Sequence, residues 1–294
     1  MFRREKFRLH LPTRVLQLGQ RTLVMGVLNV TPDSFSDGGQ YFDSGRAVRR
    51  ALEIERMGAD IVDVGGESTR PGSVGISAQE EMRRVLPVLK QLRGQIRIPI
   101  AIDTSKSEVA EAAADQGAEI VNDVTALSAD PHLAEIAARR RLPLILMHMR
   151  GKPRTMQKKP FARDVLGDVA AGLRQAVARA RRAGVWKSQM ILDPGIGFGK
   201  SAQQNFELIA RLPELADLGF PLLVGASRKG FIGKALGARA GGERIWGTAA
   251  AVAATILGGA HIVRVHDVAE MIQVAAIADA VANPRALASR LRTE

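Results

Sequence analysis

Short apolar segments alternate with helical patterns along this chain, and most of the apolar segments end in a polar residue. Continuous apolar runs are typical of parallel strands that helices cover on both faces. The alternation predicts the α/β class and, within it, a (β/α)8 TIM barrel. The eight predicted strands are 22–29, 60–64, 99–103, 119–123, 142–148, 189–193, 221–227 and 260–266.

Polar residues close nearly every predicted strand. In a parallel barrel the carboxyl ends of all strands meet on one face, so residues far apart in sequence are expected to line one pocket. The pattern therefore predicts where the active site lies as well as the fold. The residues concerned are Asn29, Asp63, Asp103, Asn122, His148, Asp193, Ser227 to Lys229, Arg264 and His266.

One domain is expected, because no linker, charge block or low-complexity tract divides the 294 residues. Residues 1–21 are predicted to form an N-terminal extension, with a small hairpin around Leu18-Gly19-Gln20, and residues 22–294 the barrel. The first two connections after strands are long, which predicts lids or binding elements. Helical patterns cover 44–58, 78–92, 165–183, 203–211, 246–257 and 267–281.

Composition excludes several classes of protein. The chain has no cysteine, which excludes a disulfide framework, a thiolate nucleophile and a Cys-ligated metal site. Its apolar runs are shorter than the roughly 18 residues that span a bilayer. The basic N-terminus lacks the apolar segment and cleavage site of a secretory signal. A cytoplasmic enzyme without a membrane partner is the expectation.

The net charge of +12 raises the question of a nucleic-acid partner. The positive charges are mostly arginines spread over predicted helix faces, as in 139–141 and 179–182. These runs contain no interleaved aromatic residues, so solvated helix faces are the better interpretation. Salt-sensitive binding of arbitrary duplex would be the mark of the alternative.

Strands one and eight are neighbours in a closed barrel, so Arg264 and His266 are expected near Asn29. Phosphate groups often bind near strands seven and eight of such barrels, and a guanidinium matches phosphate oxygens in geometry. The amide oxygen of Asn29 is a hard ligand suited to Mg²⁺. The alternative is a structural role, in which Arg264 or His266 pairs with Asp267.

Asp103, Asn122 and Asp193 end strands three, four and six, on one side of the same pocket. Carboxylate and amide acceptors suit a ligand edge rich in N–H groups, such as an aminopyrimidine. Three alternatives stay open: a divalent-metal site, an acid/base pair for glycoside hydrolysis, and helix N-caps, as at Asp103.

Lys229 follows strand seven between glycines, where it would either form a Schiff base, as in an aldolase, or hold a substrate oxygen. The segment DPGIGFGK at 193–200 lacks P-loop spacing, and a tight turn that projects Phe198 and Lys200 over the pocket is predicted. His148 is expected to hydrogen-bond behind the pocket. The helix that begins near residue 246 is apolar all round, which predicts core or a subunit contact.

Eight motifs together resemble the dihydropteroate synthase family. The resemblance runs from about residue 22 to 282 in the family's order, and the set is far more specific than any single motif. The motifs are MGVLNVTPDSFSDGG at 25–39, DVGGESTRPG at 63–72, IDTSK at 102–106, VNDV at 121–124, LMHMRG at 146–151, ILDPGIGFGK at 191–200, GASRKGFIG at 225–233 and RVHDV at 264–268.

The resemblance implies a transferase of folate biosynthesis that joins 6-hydroxymethyl-7,8-dihydropterin pyrophosphate to p-aminobenzoate and releases pyrophosphate. By similarity, the pterin would be held by Asp103, Asn122, Met147, Asp193 and Lys229. The pyrophosphate would be held by Asn29, Arg70, Arg264 and His266, with Mg²⁺ on Asn29. The p-aminobenzoate pocket would comprise Phe35, Thr69, Pro71, Phe198, Ser227 and Lys229.

The same resemblance assigns the catalytic roles to Asn29, Asp33, Arg70, Lys229, Arg264 and His266, with Asp33 and Arg70 ordering the two long loops. It also implies a homodimer and a sulfonamide target. One departure is Ile196, where relatives often carry Phe, and altered packing under that turn is expected.

The expected reaction is a dissociative substitution, in which pyrophosphate leaves before the amine attacks. Electrostatic stabilisation of the leaving group would then supply most of the acceleration, and the aryl amine needs only orientation. The alternatives are a catalytically impaired paralogue and a barrel that transfers methyl from methyltetrahydrofolate to a corrinoid.

Overall fold

The computed structural model describes residues 4–31, 43–68, 72–151, 163–237 and 244–284. Its main element is a sheet of eight parallel strands with helices on the outside. This arrangement confirms the (β/α)8 barrel. The strands are β1 (Phe7–His10), β2 (Val15–Leu18), β3 (Leu23–Asn29), β4 (Ile61–Gly65), β5 (Ile100–Asp103), β6 (Ala118–Asp123), β7 (Leu144–Met147), β8 (Met190–Asp193), β9 (Leu223–Val224) and β10 (Ile262–Val265).

Nine α-helices lie within the described residues, and six of them match the predicted helical patterns to within two residues. Side-chain caps fix several starts, as where Ser77 accepts from the N–H of Glu80 at 3.2 Å. The helices are α1 (Ser44–Arg56), α2 (Ala78–Leu92), α3 (Ser107–Asp115), α4 (His132–Arg140), α5 (Val165–Arg182), α6 (Ala202–Ala210), α7 (Gly230–Ala235), α8 (Ile245–Leu257) and α9 (Val268–Ala282).

The barrel strands follow one another in space in chain order, from β3 to β8, and β10 lies between β9 and β3. A parallel bridge between Leu192 and Leu222 joins β8 to the segment before β9. That contact closes the sheet, with the N–H of Leu192 donating to Pro221 O at 2.9 Å. Strand β10 pairs with β3 as predicted, Arg264 lying opposite Met25.

The amino end of the barrel is filled by a layer with one apolar residue from each strand. All eight are buried, so this end is packed core and leaves the carboxyl end for chemistry. The layer consists of Met25, Ile61, Ala101, Ile120, Ile145, Ile191, Leu223 and Ile262.

The N-terminal hairpin covers this layer. Strands β1 and β2 pair antiparallel, and Leu9, Leu11 and Leu18 are buried in the same cluster as the layer. The hairpin exists, but its predicted position was wrong. The chain turns at residues 11–14, where the N–H of Leu11 donates to Arg14 O, whereas 18–20 leads into β3.

Two predicted strands are shorter than their apolar runs. Strand β7 ends at Met147, so His148 lies just beyond it, and β9 contains only Leu223–Val224 of the predicted 221–227. Residues 225–227 stay largely buried without ladder pairing. Within the described part of the chain, none of the helices is long and apolar enough to cross a membrane.

Candidate active site

Three charged side chains are hydrogen-bonded together at the carboxyl end of the barrel. Arg264 on β10 donates from Nε to Oδ2 of Asp63 at 2.6 Å and from Nη2 to Oδ2 of Asp103 at 2.7 Å. Asn122 on β6 donates from Nδ2 to the same Asp63 oxygen at 3.1 Å. Residues from four strands thus form one network, as the polar strand ends predicted.

Burial shifts the pKa values of the charged residues in this network. Burial raises the pKa of Asp103 to about 7, against the opposing effect of Arg264. Burial opposes the charge of Arg264 as well, but the carboxylates of Asp63 and Asp103 raise the pKa of the guanidinium. Arg264 therefore stays charged, and its position is fixed by two carboxylates.

The structural alternatives for this region were wrong. Asp267 pairs with Arg228, whose Nε donates to Oδ2 at 3.0 Å. Arg264 pairs instead with Asp63 and Asp103 in the pocket. Asp103 is also no N-cap, because α3 begins at Ser107 and the N–H of that residue is bound by Asp130 at 2.8 Å.

Asp63 belongs to this network although the sequence assigned it no role. It is fully buried, and its Oδ1 has no hydrogen-bond partner among the described residues. The available signal was an acidic residue within the apolar run DIVDV. Only the fold shows that it orients both Arg264 and Asn122.

Asn29 and His266 lie at the ends of the adjacent strands β3 and β10. No described side chain hydrogen-bonds to the amide of Asn29, which ends β3 opposite Gly65. His266 contacts Ser227, whose Oγ lies 3.1 Å from Nδ1 and accepts from the backbone N–H at 3.2 Å. Burial, together with Arg264, Arg228 and Lys229, lowers the pKa of His266 to about 4.

Asp193, Lys229 and Phe198 form a second wall of the pocket, beside this network. The side chain of Asp193 accepts from the N–H of Gly195 at 2.7 Å, and burial raises its pKa to about 6. Lys229 Nζ lies 3.9 Å from the centroid of the Phe198 ring. Burial and the charge of Arg264 lower the pKa of Lys229 to about 8.

The connection between β8 and α6 brings Phe198 to this wall but does not expose Lys200, contrary to prediction. Lys200 is only 4% exposed and turns beneath the loop, where Nζ donates to the carbonyls of Gly195 and Phe198. The prediction missed that the backbone carbonyl groups of Gly195, Phe198 and His148 all face Lys200 Nζ.

His148 hydrogen-bonds behind the pocket, as expected. Its Nδ1 lies 3.2 Å from Lys200 Nζ, and burial together with the charge of Lys200 lowers its pKa to about 3. Met147 and Phe198 pack in a small apolar cluster at the pocket. Ile196 is buried in the outer core under the turn.

Five predicted site residues lie outside the described residues. They are Asp33 and Phe35 of the first long loop and Thr69, Arg70 and Pro71 of the second. Within the residues that are described, no group of three or more His, Asp or Glu side chains is arranged to hold a metal ion.

Known proteins resemble this chain in sequence and in fold. A family model for pterin-binding enzymes matches residues 25–266. The dihydropteroate synthase of Synechocystis sp. is 49% identical over 263 residues, which are 90% of this chain and 91% of that protein.

Solved structures of dihydropteroate synthases have the same fold as this chain. Xanthomonas albilineans dihydropteroate synthase with 4-aminobenzoic acid has a TM-score of 0.88 and 42% identity, over 95% of this chain and 99% of that one. The same organism's enzyme in complex with 7,8-dihydropteroate has a TM-score of 0.84 and 40% identity, over 94% and 99% of the two chains. The barrel, its polar strand ends and these similarities establish that the chain belongs to the dihydropteroate synthase family of pterin-binding transferases.

Proposed function

We propose that this chain condenses 6-hydroxymethyl-7,8-dihydropterin pyrophosphate with p-aminobenzoate, giving 7,8-dihydropteroate and pyrophosphate. The observation that carries the proposal is the hydrogen-bonded network of Asp63, Asp103, Asn122 and Arg264, next to the Lys229–Phe198 pair. This network offers acceptors for the N–H groups of one substrate beside cations for the charge of its leaving group.

The pterin ring occupies the acidic side of the pocket. Because Asn122 Nδ2 donates to Asp63, the amide oxygen of Asn122 is left as an acceptor. Asp103 and Asp193 supply carboxylate oxygens of the same kind, and charge-assisted bonds to them are worth about 1.5–3 kcal/mol each. Met147 provides apolar contact for the ring in the cluster with Phe198.

The aryl amine lies against Phe198 and Lys229. A flat ring face beside a cation suits a substrate that combines an aromatic ring with a carboxylate. Ser227 stands nearby through its contact with His266. Phe35, Thr69 and Pro71 complete this pocket in the proposal, and a sulfonamide is expected to compete with p-aminobenzoate there.

The pyrophosphate is held by Arg264 and His266 together with Asn29 and Arg70. At neutral pH His266 is uncharged, so it contributes a hydrogen bond rather than a positive charge. Nδ1 lies 3.1 Å from the Ser227 hydroxyl, and in the proposal Nε2 carries the hydrogen that binds the anion. Charge compensation by this group of residues thus rests on the two arginines.

The oxygen of Asn29 fits a role in holding Mg²⁺, because it is a hard neutral donor that no described side chain claims. Mg²⁺ takes few protein ligands and completes its shell with waters and phosphate oxygens, in agreement with the lack of a carboxylate cluster among the described residues. When bound, the ion would neutralise charge on the pyrophosphate.

The reaction is dissociative in this proposal. Arg264 is held in place by Asp63 and Asp103 before any substrate binds, so it needs no reorganisation as charge develops on the leaving oxygen. Asp103 and Asp193 lie on the pterin side, where their negative charge stabilises the cation that remains. Lys229 and Phe198 orient the amine for attack.

A second copy of the chain is the proposed partner, through α8 and α9. Helix α8 contains no charged residue, and Trp246 and Leu257 on it are exposed. Ile277 and Val281 are exposed on the neighbouring helix α9. A homodimer would remove this apolar surface from water.

The first test is formation of dihydropteroate from the two substrates with Mg²⁺, followed by chromatography, with and without a chelator. The purified protein is expected to form product only when Mg²⁺ is present. Absence of product under all conditions would contradict the proposed function, and product in excess chelator would contradict the role of the ion.

The second test separates binding from chemistry. Asp193→Ala is expected to weaken binding of the pterin substrate alone, measured by calorimetry, whereas Asp217→Ala on the exposed surface leaves it unchanged. Arg264→Ala is expected to lower kcat/KM about 100- to 1000-fold, as for other lost electrostatic donors. Because Arg264 donates to Asp103, the variant that combines Arg264→Ala with Asp103→Ala should lower kcat/KM by less than the product of the two single effects.

A further inference from the structure

The turn after β8 is held from beneath by a buried lysine that the proposed reaction does not use. Lys200 Nζ lies 2.9 Å from Gly195 O, 3.0 Å from Phe198 O and 3.3 Å from His148 O. The imidazole Nδ1 of His148 is a fourth neighbour at 3.2 Å. Four acceptors surround Nζ, which has three hydrogens to donate as an ammonium and two as a neutral amine. Burial lowers the pKa of Lys200 to about 7, so both forms are present near neutral pH.

His148 completes this arrangement as an acceptor. Burial and the charge of Lys200 keep its imidazole neutral, with a pKa lowered to about 3. The Nδ1 lone pair then faces the ammonium, and the hydrogen is left on Nε2, which lies 3.8 Å from a carboxylate oxygen of Asp168 on α5. Lys200 therefore ties the turn to the end of β7.

Asn205 on α6 holds the same turn from a second side. Its Oδ1 accepts from the N–H of Gly197 at 2.6 Å, and its Nδ2 donates to Ser201 O at 2.8 Å. Asn205 is buried as well, with 2% of its surface exposed. Between Gly195 and Phe198, three backbone groups are thus bound by the side chains of Lys200 and Asn205.

The fixed turn carries the aromatic wall of the pocket. Gly197 has φ +87, and a Cβ there would lie 2.8 Å from Lys229 Cδ, so the backbone touches the stem of Lys229. The Phe198 ring lies under the ammonium of that lysine. A small movement of the turn would displace both contacts of the second substrate.

We propose that Lys200 is a positioning residue, whose buried amino group holds the 195–198 turn so that Phe198 and Lys229 are placed to bind the aryl amine. The aryl amine is that of the proposed function, on which this inference rests. Lys200 acts through Phe198 and touches neither substrate, and Asn205 supports it. The pterin residues meet this turn where Asp193 accepts from the N–H of Gly195 and Met147 packs with Phe198, so loss of the clamp is expected to weaken pterin binding less than binding of the aryl amine.

The experiment compares Lys200→Met, which keeps the length of the side chain, with Lys90→Met on the exposed end of α2. Lys200→Met is expected to raise KM for p-aminobenzoate about 10- to 100-fold, in the range that one charge-assisted hydrogen bond supports. KM for the pterin substrate should change less than about threefold. Equal changes in both KM values, or none, would overturn the proposal.

A second measurement needs neither substrate nor activity. Hydrogen exchange of the free protein should be faster in Lys200→Met for the peptide that covers 194–200, and unchanged for peptides of β3 and β5. Unaltered protection at 194–200 would overturn the clamp, even if the wild type made no dihydropteroate. If Lys200→Met does not fold, Lys200→Gln, which keeps an N–H donor, should show the same pattern at smaller amplitude.

Discussion

Arg264 is the residue on which most of the site's geometry depends. Its guanidinium bonds to Asp63 and Asp103, so both carboxylates are held together in the low dielectric of the barrel end. Removing one partner of a buried charged pair commonly costs several kcal/mol, about 3–5, because the other is left uncompensated. Preorganisation of this arginine is therefore tied to the acidic residues that face the pterin in the proposed function.

The buried titratable groups predict the dependence of activity on pH. Asp103 and Asp193 carry the negative charge that strengthens their bonds to the pterin only when deprotonated, so kcat/KM should fall as pH decreases through about 7 and 6. Lys229 is a cation only when protonated, so kcat/KM should fall as pH increases through about 8. A bell-shaped profile of kcat/KM is the expected result.

Lys229→Arg tests which group causes the alkaline limb. Arginine stays protonated throughout this range, so the variant should lose that limb even if its activity is lower. Lys187→Arg, at the other end of the barrel, should keep the wild-type profile. An alkaline limb that persists in Lys229→Arg would assign the ionisation to another group.

Among the elements, the turn between β8 and α6 shows how glycine permits close packing. Gly195 has φ +67, and a Cβ there would lie 1.9 Å from His148 O. Gly184, after α5, has φ +92 but only Ala138 Cβ nearby, at 3.7 Å. The two positions share the left-handed conformation and differ in the space available.

This difference gives a matched pair of variants. Gly184→Ala should lower the free energy of unfolding by about 1–2 kcal/mol, the cost of the left-handed conformation. Gly195→Ala should cost roughly 3 kcal/mol or more, because the backbone must also move away from His148. Urea unfolding of both variants measures the difference, and equal costs would contradict the argument from space.

The sequence predicted which strands form better than it predicted where each strand ends. Continuous apolar runs located all eight barrel strands, since a strand covered on both faces must be apolar throughout. It did not predict that β9 is two residues long. Residues 225–227, Gly-Ala-Ser, stay largely buried outside the ladder, and the apolar run alone does not show where pairing stops.

At the scale of the whole molecule, the two ends of the barrel have different tasks. The hairpin leucines and one residue from each strand seal the amino end. Arg4 bonds Thr22 and the backbone of Ala260 on this side, so the first residues are tied to the last strand. The polar network is thereby confined to the carboxyl end.

The proposed homodimer is tested by changing its apolar surface. Trp246 is 81% exposed on α8 and Ile277 is 68% exposed on α9, so Trp246→Glu with Ile277→Glu should convert a dimer into a monomer. Trp186→Glu is the control, because that tryptophan is 63% exposed but lies at the amino end. Light scattering after size-exclusion chromatography gives the mass, and a wild-type monomer would contradict the proposal.

The sequence by itself determined the barrel and which polar residues gather at the carboxyl end of its strands, because hydrophobic period and strand-end polarity are local patterns. Only the tertiary structure decided which of those residues bind one another. Arg264 reaches Asp63 across 201 positions and Asp103 across 161, and Lys200 turns inward. Such choices depend on strand register, on barrel curvature and on the need of each buried charge for a partner, none of which a local pattern contains.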